Sequence, residues 1–105
     1  MQGYQIIFFT QQNRMHGKQT VGQWLLSKAK ELGFGGATLS GALEGFGHDG
    51  KVHMLNMFDY ADQPVQVTMV LSKPDTERLF AELDKEKVKV FYTRTEVDFG
   101  MLGGA

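Results

Sequence analysis

Two stretches of the chain have patterns of hydrophobic and polar residues that are typical of β-strands. Residues 4–10, YQIIFFT, are dense in β-branched and aromatic side chains and are followed by the polar run QQNR. This composition predicts a first strand. The second stretch alternates more strictly and predicts a core strand, because apolar residues take every second position, at Val65, Val67, Met69 and Leu71.

Two other stretches show the spacing of three and four residues that one face of a helix requires. The first predicts a helix from Lys18 to Leu32, ended by Gly33, with its apolar face at Val21, Trp24, Leu25, Ala29 and Leu32. The second begins at Ser72, where a serine N-cap is followed by a proline and then by Asp75, which is the signal of a helix start. Its predicted buried stripe is Leu79, Phe80 and Leu83.

Two further strands complete the predicted order. Gly36 to Leu43, GATLSGAL, predicts a strand in which Gly41 marks a bulge or a close approach of the backbone. A last strand is predicted before the tail at 100–105, from the alternation of Val88, Val90 and Tyr92. This order predicts an α+β fold, a ferredoxin-like βαββαβ sandwich in which an antiparallel sheet carries two helices on one face.

The predicted sheet is apolar on both faces, although two helices can cover only one. Ile7 and Phe9 lie on the face opposite Ile6 and Phe8, and Val70 lies on the face opposite Met69. An antiparallel sheet usually leaves its second face to water. The apolar second face therefore predicts that the protein forms an oligomer.

Length and composition narrow the classes of protein that remain. The 105 residues suit a single domain, 1–105, with one core. The chain has no cysteine, which excludes disulfides and thiolate chemistry and fits a reducing compartment. The opening run MQGYQIIFF is too short for membrane insertion and lacks the features of a signal peptide, so a cytoplasmic location is expected. A net charge of −1 gives no general attraction to nucleic acid.

The stretch EGFGHDGKVH, residues 44–53, matches the dinucleotide pattern G-x-G-x-x-G. That pattern needs a helix directly after the glycines, and the residues KVHMLNMF show no helical period. RNA-recognition domains share the predicted order of elements and carry G-F-G within an aromatic motif on a central strand. Here Glu44 stands where the motif has a lysine or arginine, and Asp49 interrupts the strand. RNA binding remains the alternative hypothesis from another functional class.

Catalytic and metal-binding patterns are not found in the sequence. His16, His48 and His53 lack the spacing of known metal motifs. There is no cysteine nucleophile, no serine in a strand-turn-helix setting and no defensible carboxylate pair. Gly17-Lys18 resembles the end of a phosphate loop, but Gln12 takes the place of the first glycine. We therefore expect no catalytic residues, no metal site and no enzyme activity.

The stretch at residues 44–53 also fits an anion-binding loop. Three glycines lie between β segments with His48, Lys51 and His53 around them, and exposed backbone N–H groups can form a concave anion site. The predicted loop spans about 44–64. A segment of that length in a compact domain is usually functional or disordered. The sequence therefore predicts a ligand-responsive loop, with a flexible tail at 100–105.

The motif GATLSGALEGFGHDGKVH, together with Pro64 and the alternating strand after it, resembles the PII-like proteins of the domain of unknown function 190, distant relatives of the nitrogen-regulatory PII signal transducers. The resemblance covers nearly the whole chain and includes His16-Gly17-Lys18. Its specific elements are Gly36-Ala37-Thr38 and Gly45-Phe46-Gly47. It implies a ferredoxin-like homotrimer.

The resemblance also implies a ligand site, because PII proteins bind adenine nucleotides between subunits at the base of a mobile loop that docks on a protein partner. Thr38 and Gly45-Phe46-Gly47 match that site, whereas His48 stands where PII proteins have an arginine. The glycine-rich phosphate loop is replaced by residues 84–88, and Lys87, or Lys89 directly after this stretch, would supply a cation. The small-molecule ligand implied is AMP, ADP, ATP or another anion. The predicted ligand-binding residues are Thr38, Gly45, Phe46, Gly47, His48, Lys51, His53 and Lys87.

Overall fold

A computed structural model describes residues 1–41, 44–46, 52–54 and 63–103 of the chain. Its strands are β1 (Gln2–Gln11), β2 (Met15–His16), β3 (Gln19–Thr20), β4 (Thr38–Gly41), β5 (Glu44–Phe46), β6 (Val52–Met54), β7 (Pro64–Ser72) and β8 (Phe91–Asp98). Its helices are α1 (Val21–Glu31) and α2 (Lys73–Lys85). None of the helices in these described ranges is long and apolar enough to cross a membrane.

The main sheet is antiparallel and has the strand order β4-β7-β1-β8. β1 pairs with β7 from Gly3 opposite Ser72 to Gln11 opposite Pro64, and its other side pairs with β8. Each helix connects two strands that are separated by one strand of the sheet. This arrangement is the ferredoxin-like fold that the order of elements predicted.

The core lies between the two helices and one face of the sheet. The helical face predicted from sequence is buried at Val21, Trp24, Leu25 and Ala29, and Leu79 of α2 is fully buried against it. The predicted alternation of β7 is confirmed, because Val65, Val67, Met69 and Leu71 are all buried. The buried face of β1 contributes Ile6 and Phe8.

Helix α1 begins later than the sequence pattern indicated, at Val21 and not at Lys18. Gln19 and Thr20 pair instead with Met15–His16 in a small antiparallel hairpin. Gly17 in its turn has φ of 63°, a conformation that glycine adopts without steric cost. The Thr20 side chain then caps the helix by accepting a hydrogen bond from the Gln23 N–H at 3.1 Å.

The last strand also begins later than predicted. Val88 and Val90 precede β8, which starts at Phe91, and they pack against the core from the loop after α2. Val88 and Val90 alternate with exposed residues because they are partly buried in this connection. An alternating pattern does not distinguish such burial from the pairing of a strand. β4 is shorter than predicted at its start, while Leu43 lies outside the described residues. The close approach expected at Gly41 involves a side chain, since a Cβ there would lie 2.5 Å from Gln63 Nε2.

Thr10 carries a buried hydroxyl without a hydrogen-bond partner among the described residues. The residue is only 7% exposed and lies in a strand, where valine has nearly the same shape. Removing an unsatisfied buried hydroxyl avoids its desolvation penalty. We expect Thr10→Val to raise the free energy of unfolding by about 1 kcal/mol, measured by urea denaturation.

Thr76 provides the matched control. It is 1% exposed, and its hydroxyl donates a hydrogen bond to the Ser72 carbonyl oxygen at 2.9 Å. Thr76→Val makes the same chemical change but removes a satisfied bond, so stability should fall by about 1 kcal/mol. A loss of stability in Thr10→Val would contradict the prediction and show that its hydroxyl is satisfied in the protein.

Candidate functional site

Two of the predicted ligand-binding residues that the structure describes lie at edges of the main sheet. Thr38 begins β4, at one edge of the main sheet, and its side chain is exposed. Lys87 follows α2 and lies close to the start of β8, at the opposite edge. With β7 and β1 between them, β4 and β8 are three strand spacings apart, roughly 14 Å. The two residues therefore do not meet within one chain across the sheet.

The end of β4, two residues after Thr38, nevertheless lies level with the start of β8. One row of paired residues crosses the sheet at this level and joins the end of β4 to the start of β8, through Ser40, Gln66, Phe9 and Phe91. A ligand that contacts both regions must either lie across this end of the sheet or sit between the edges of two chains. The second arrangement is the one that a junction between subunits provides.

The glycine-containing stretch forms a separate small ladder. β5 pairs antiparallel with β6, so that Gly45 is opposite His53 and Phe46 is opposite Val52. The glycines are followed by a strand and not by a helix, which confirms the rejection of the dinucleotide pattern. Phe46 is not on a central strand of the main sheet, as the RNA motif would require. Gly47, His48 and Lys51 lie outside the described residues.

Lys87 has an unusual backbone conformation for its residue type. Its φ is 55°, in the left-handed region, and it ends α2 in the position where glycine is most common. The hydrogen bonds of this helix end are from Lys87 N–H to the Asp84 carbonyl and from Val88 N–H to the Leu83 carbonyl, at 3.1 and 3.0 Å. A lysine held in this conformation is strained by about 1 kcal/mol relative to glycine.

A groove of about 440 Å³ lies beside Lys87, on the helix side of the sheet. One wall is aromatic: the Phe80 and Tyr92 rings meet edge to face with centroids 4.8 Å apart, and Phe8 lies 6.4 Å from each. The other lining residues come from the end of α2 and the connection to β8, and are Leu83, Asp84, Lys87, Val88, Lys89 and Val90. Sequence reasoning missed this groove, although the aromatic and lysine residues that form it were visible in the sequence.

The outer face of the sheet carries an exposed apolar strip. Phe91 is 56% exposed and packs against Phe9 with ring centroids 5.8 Å apart. Val70, 41% exposed, lies further along the same face, and Ile7 lies between them in β1. Threonines and glutamines flank the strip, at Gln66, Thr68, Thr93 and Thr95. The second face is therefore apolar along its middle and polar at its margins.

The histidine that the structure describes with its side chain has a packing role. The His16 ring meets the Trp24 ring edge to face, with centroids 5.5 Å apart. The Lys28 ammonium group lies 5.4 Å from the Trp24 ring centre and 3.0 Å from the Glu31 carboxylate. The hydrogen bond to Glu31 raises the pKa of Lys28. Among the described residues, no group of three metal-binding side chains occurs.

Comparison with known families identifies one match. The model of the DUF190 family, described as uncharacterized ACR, matches residues 4–99, which is most of the chain. No curated protein matches the sequence.

Two solved structures have a similar fold. A protein of Thermus thermophilus, described as PII-like and signaling, has 16% identity and a TM-score of 0.67, and the match covers 92% of this chain and 88% of that chain. CPII of Thiomonas intermedia, a nitrogen regulatory PII-like protein bound to ADP, AMP and bicarbonate, has 14% identity and a TM-score of 0.69. That match covers 96% of this chain and 91% of CPII.

Proposed function

Because this chain belongs to the DUF190 family and has the ferredoxin-like fold of PII-like proteins, we propose that it is a PII-like signalling protein that binds an adenine nucleotide between subunits. CPII, which shares the fold, is bound to ADP and AMP. The observation that carries the proposal is the position of the two predicted ligand regions. They lie on opposite edges of the sheet, which suits a ligand held by two chains.

The nucleotide would contact both edges of the sheet. Thr38 and the Gly45-Phe46-Gly47 segment supply hydroxyl and backbone donors from the β4 side. His48, Lys51 and His53 follow these residues in the sequence. Lys87 supplies a positive charge from the β8 side, and a lysine can follow a phosphate as a mobile point charge. One lysine in place of a glycine-rich phosphate loop favours a ligand with few phosphates, and AMP or ADP fits this better than ATP.

The subunits would assemble as a homotrimer through the outer face of the sheet. Phe9, Phe91 and Val70 form an apolar strip there that two helices of the same chain cannot cover. A second copy of the chain is the partner that buries such a strip in a symmetric assembly. In a three-fold arrangement the β8 edge of one copy would face the β4 edge of the next copy. This would bring Lys87 of one chain close to Thr38 of another.

The output would be a change in protein binding and not a chemical reaction. The segment at about 44–64 contains the glycine part of the proposed ligand site, so an ordering of that segment by the nucleotide would present a new surface to a protein target. The proposed role as a sensor requires no nucleophile or metal. It predicts that bound nucleotide is released unchanged.

Calorimetric titration with AMP, ADP, ATP and cyclic AMP tests the site. We expect saturable binding of about one nucleotide per chain, and Gly47→Asp should weaken it at least tenfold because its carboxylate would repel the phosphate. Gly35→Asp is the control, since Gly35 is exposed, has open space around it and carries the same charge change.

Equal losses in both variants would show a general charge effect and contradict the assigned site. Unchanged affinity in Gly47→Asp would place the nucleotide elsewhere. Light scattering on the same samples measures the oligomeric state, so that loss of the trimer is distinguished from loss of the site.

A further inference from the structure

The groove shares Lys87 with the proposed nucleotide site, but it opens in a different direction, on the helix side of the sheet. Successive residues of a strand point to opposite faces, so Tyr92 points to the helix side while Phe91 points to the outer face. The groove opens beside the rings of Phe80 and Tyr92, on the side where α2 packs. The outer strip and the β4 edge take no part in it.

The size and lining of the groove suit a small ring-bearing molecule. Its volume of about 440 Å³ falls at the lower end of the range for small-molecule pockets, roughly 300–1,000 Å³. Phe8 is fully buried and closes the inner end, whereas Tyr92 is 42% exposed and presents part of its ring to a ligand. Aromatic rings prefer offset or edge-to-face contacts with other rings, which this wall can supply.

The charges around the groove favour an anion. Lys87 and Lys89 line it, and neither forms an ion pair with another residue in the described parts of the chain. Asp84 is the single acidic lining residue. The nearby Arg94 guanidinium is placed over the Tyr4 and Phe80 rings, at 4.8 and 5.6 Å from their centres. The two lysines are thus the cations available to a ligand.

The conformation of Lys87 is a further sign of a binding role. Strained backbone positions are concentrated at ligand sites, and the end of α2 would be more stable with glycine. A glycine there would supply no charge at the mouth of the groove. We propose that this groove binds an aromatic monoanion, a one-ring or two-ring carboxylate or sulfonate, with its ring against Phe80 and Tyr92 and its acid group at Lys87 and Lys89.

The fluorescent probe 8-anilinonaphthalene-1-sulfonate has this chemistry and tests the proposal on the full chain. We expect saturable binding of about one probe per chain, weakened at least tenfold in Tyr92→Ser through loss of the ring contact. Lys87→Gly should weaken binding by about threefold to tenfold while raising the melting temperature, since glycine relieves the left-handed strain. That combination separates a lost contact from a damaged fold.

Three controls sharpen the result. Lys85→Met removes one charge at the same helix end but does not line the groove, so it should leave binding unchanged. Asp84→Asn should tighten binding, because it removes the acidic group. The neutral analogue N-phenyl-1-naphthylamine should bind more weakly than the sulfonate.

Equal binding of the neutral analogue would overturn the anion assignment. Probe binding that survives Tyr92→Ser but is lost in Phe91→Glu would place the probe on the outer strip and overturn the groove. Retained nucleotide binding in Tyr92→Ser is expected in either case, so loss of probe binding in the groove can be distinguished from loss of the nucleotide site.

Discussion

Replacing Gly3 by alanine is expected to lower the free energy of unfolding by about 3 kcal/mol, a severe effect for the addition of one methyl group. Gly3 lies in β1 and pairs with Ser72 on one side and Val97 on the other. A Cβ atom at this position would overlap the Leu71 carbonyl oxygen. It would also lie 2.9 Å from the Leu71 carbonyl carbon and 2.7 Å from a ring atom of Phe99.

The overlap cannot be relieved by a side-chain rotation alone, because Leu71 contributes backbone from the neighbouring central strand. Relief requires the β1–β7 pairing to move, and these two strands form the middle of the sheet. Phe99 is held close by the chain end, since its N–H donates a hydrogen bond to the Met1 carbonyl at 2.9 Å. Alanine therefore disturbs both the sheet and the segment that follows β8.

Gly35→Ala is the matched control for this substitution. A Cβ at Gly35 meets no atom within 4 Å, and the backbone there is not left-handed. Its stability should change by less than about 0.5 kcal/mol, as for most surface substitutions. Urea denaturation at one fixed protein concentration measures both variants, since oligomerisation would otherwise shift the result. Similar stabilities of the two variants would contradict the close contact at Gly3.

Phe91→Glu is expected to convert the proposed trimer into monomers at micromolar concentration. Phe91 is the most exposed aromatic residue of the outer strip and contacts Phe9. A carboxylate buried there without a partner costs several kcal/mol of association free energy. Each interface of a symmetric trimer repeats the same substitution, so the effect is multiplied. Light scattering should show the mass of the particle fall to one third.

Tyr92→Glu serves as the control for the oligomer. It makes the same aromatic-to-acid change one residue away in the same strand, at a comparable exposure of 42%. Its side chain points to the helix side, where the groove lies. The trimer should therefore persist in Tyr92→Glu. Dissociation of both variants would assign the effect to weakening of β8, and an unchanged mass of Phe91→Glu would remove the outer strip from the interface.

The sequence determined the fold because its strongest signals are local. The period of α1, the alternation of β7 and the Ser72 cap each act through neighbours along the chain, and all three are confirmed. The Ser72 hydroxyl accepts a hydrogen bond from the Asp75 N–H at 3.2 Å, as its position predicted. The motif resemblance identified the family through a few glycine-containing elements, and the match over residues 4–99 confirms it.

The errors have a common physical cause. Gln19 and Thr20 join a hairpin instead of α1, and Val88 and Val90 are buried in a connection instead of a strand. In both cases the local pattern of apolar residues does not show which backbone groups pair with one another. The assignment of individual ligand-binding residues stays a prediction.

Only the tertiary structure decided which residues meet. It placed Thr38 and Lys87 on opposite edges of the sheet, a separation that the sequence does not show. It brought Phe8, Phe80 and Tyr92 from three elements into one aromatic wall, and it pressed Gly3 against the Leu71 backbone. The sequence by itself determined the elements, their order and the family, since those depend on local periodicity and short motifs. The groove, the close contact at Gly3 and the separation of the ligand regions depend on strand order and register, which arise only when distant parts of the chain pack together.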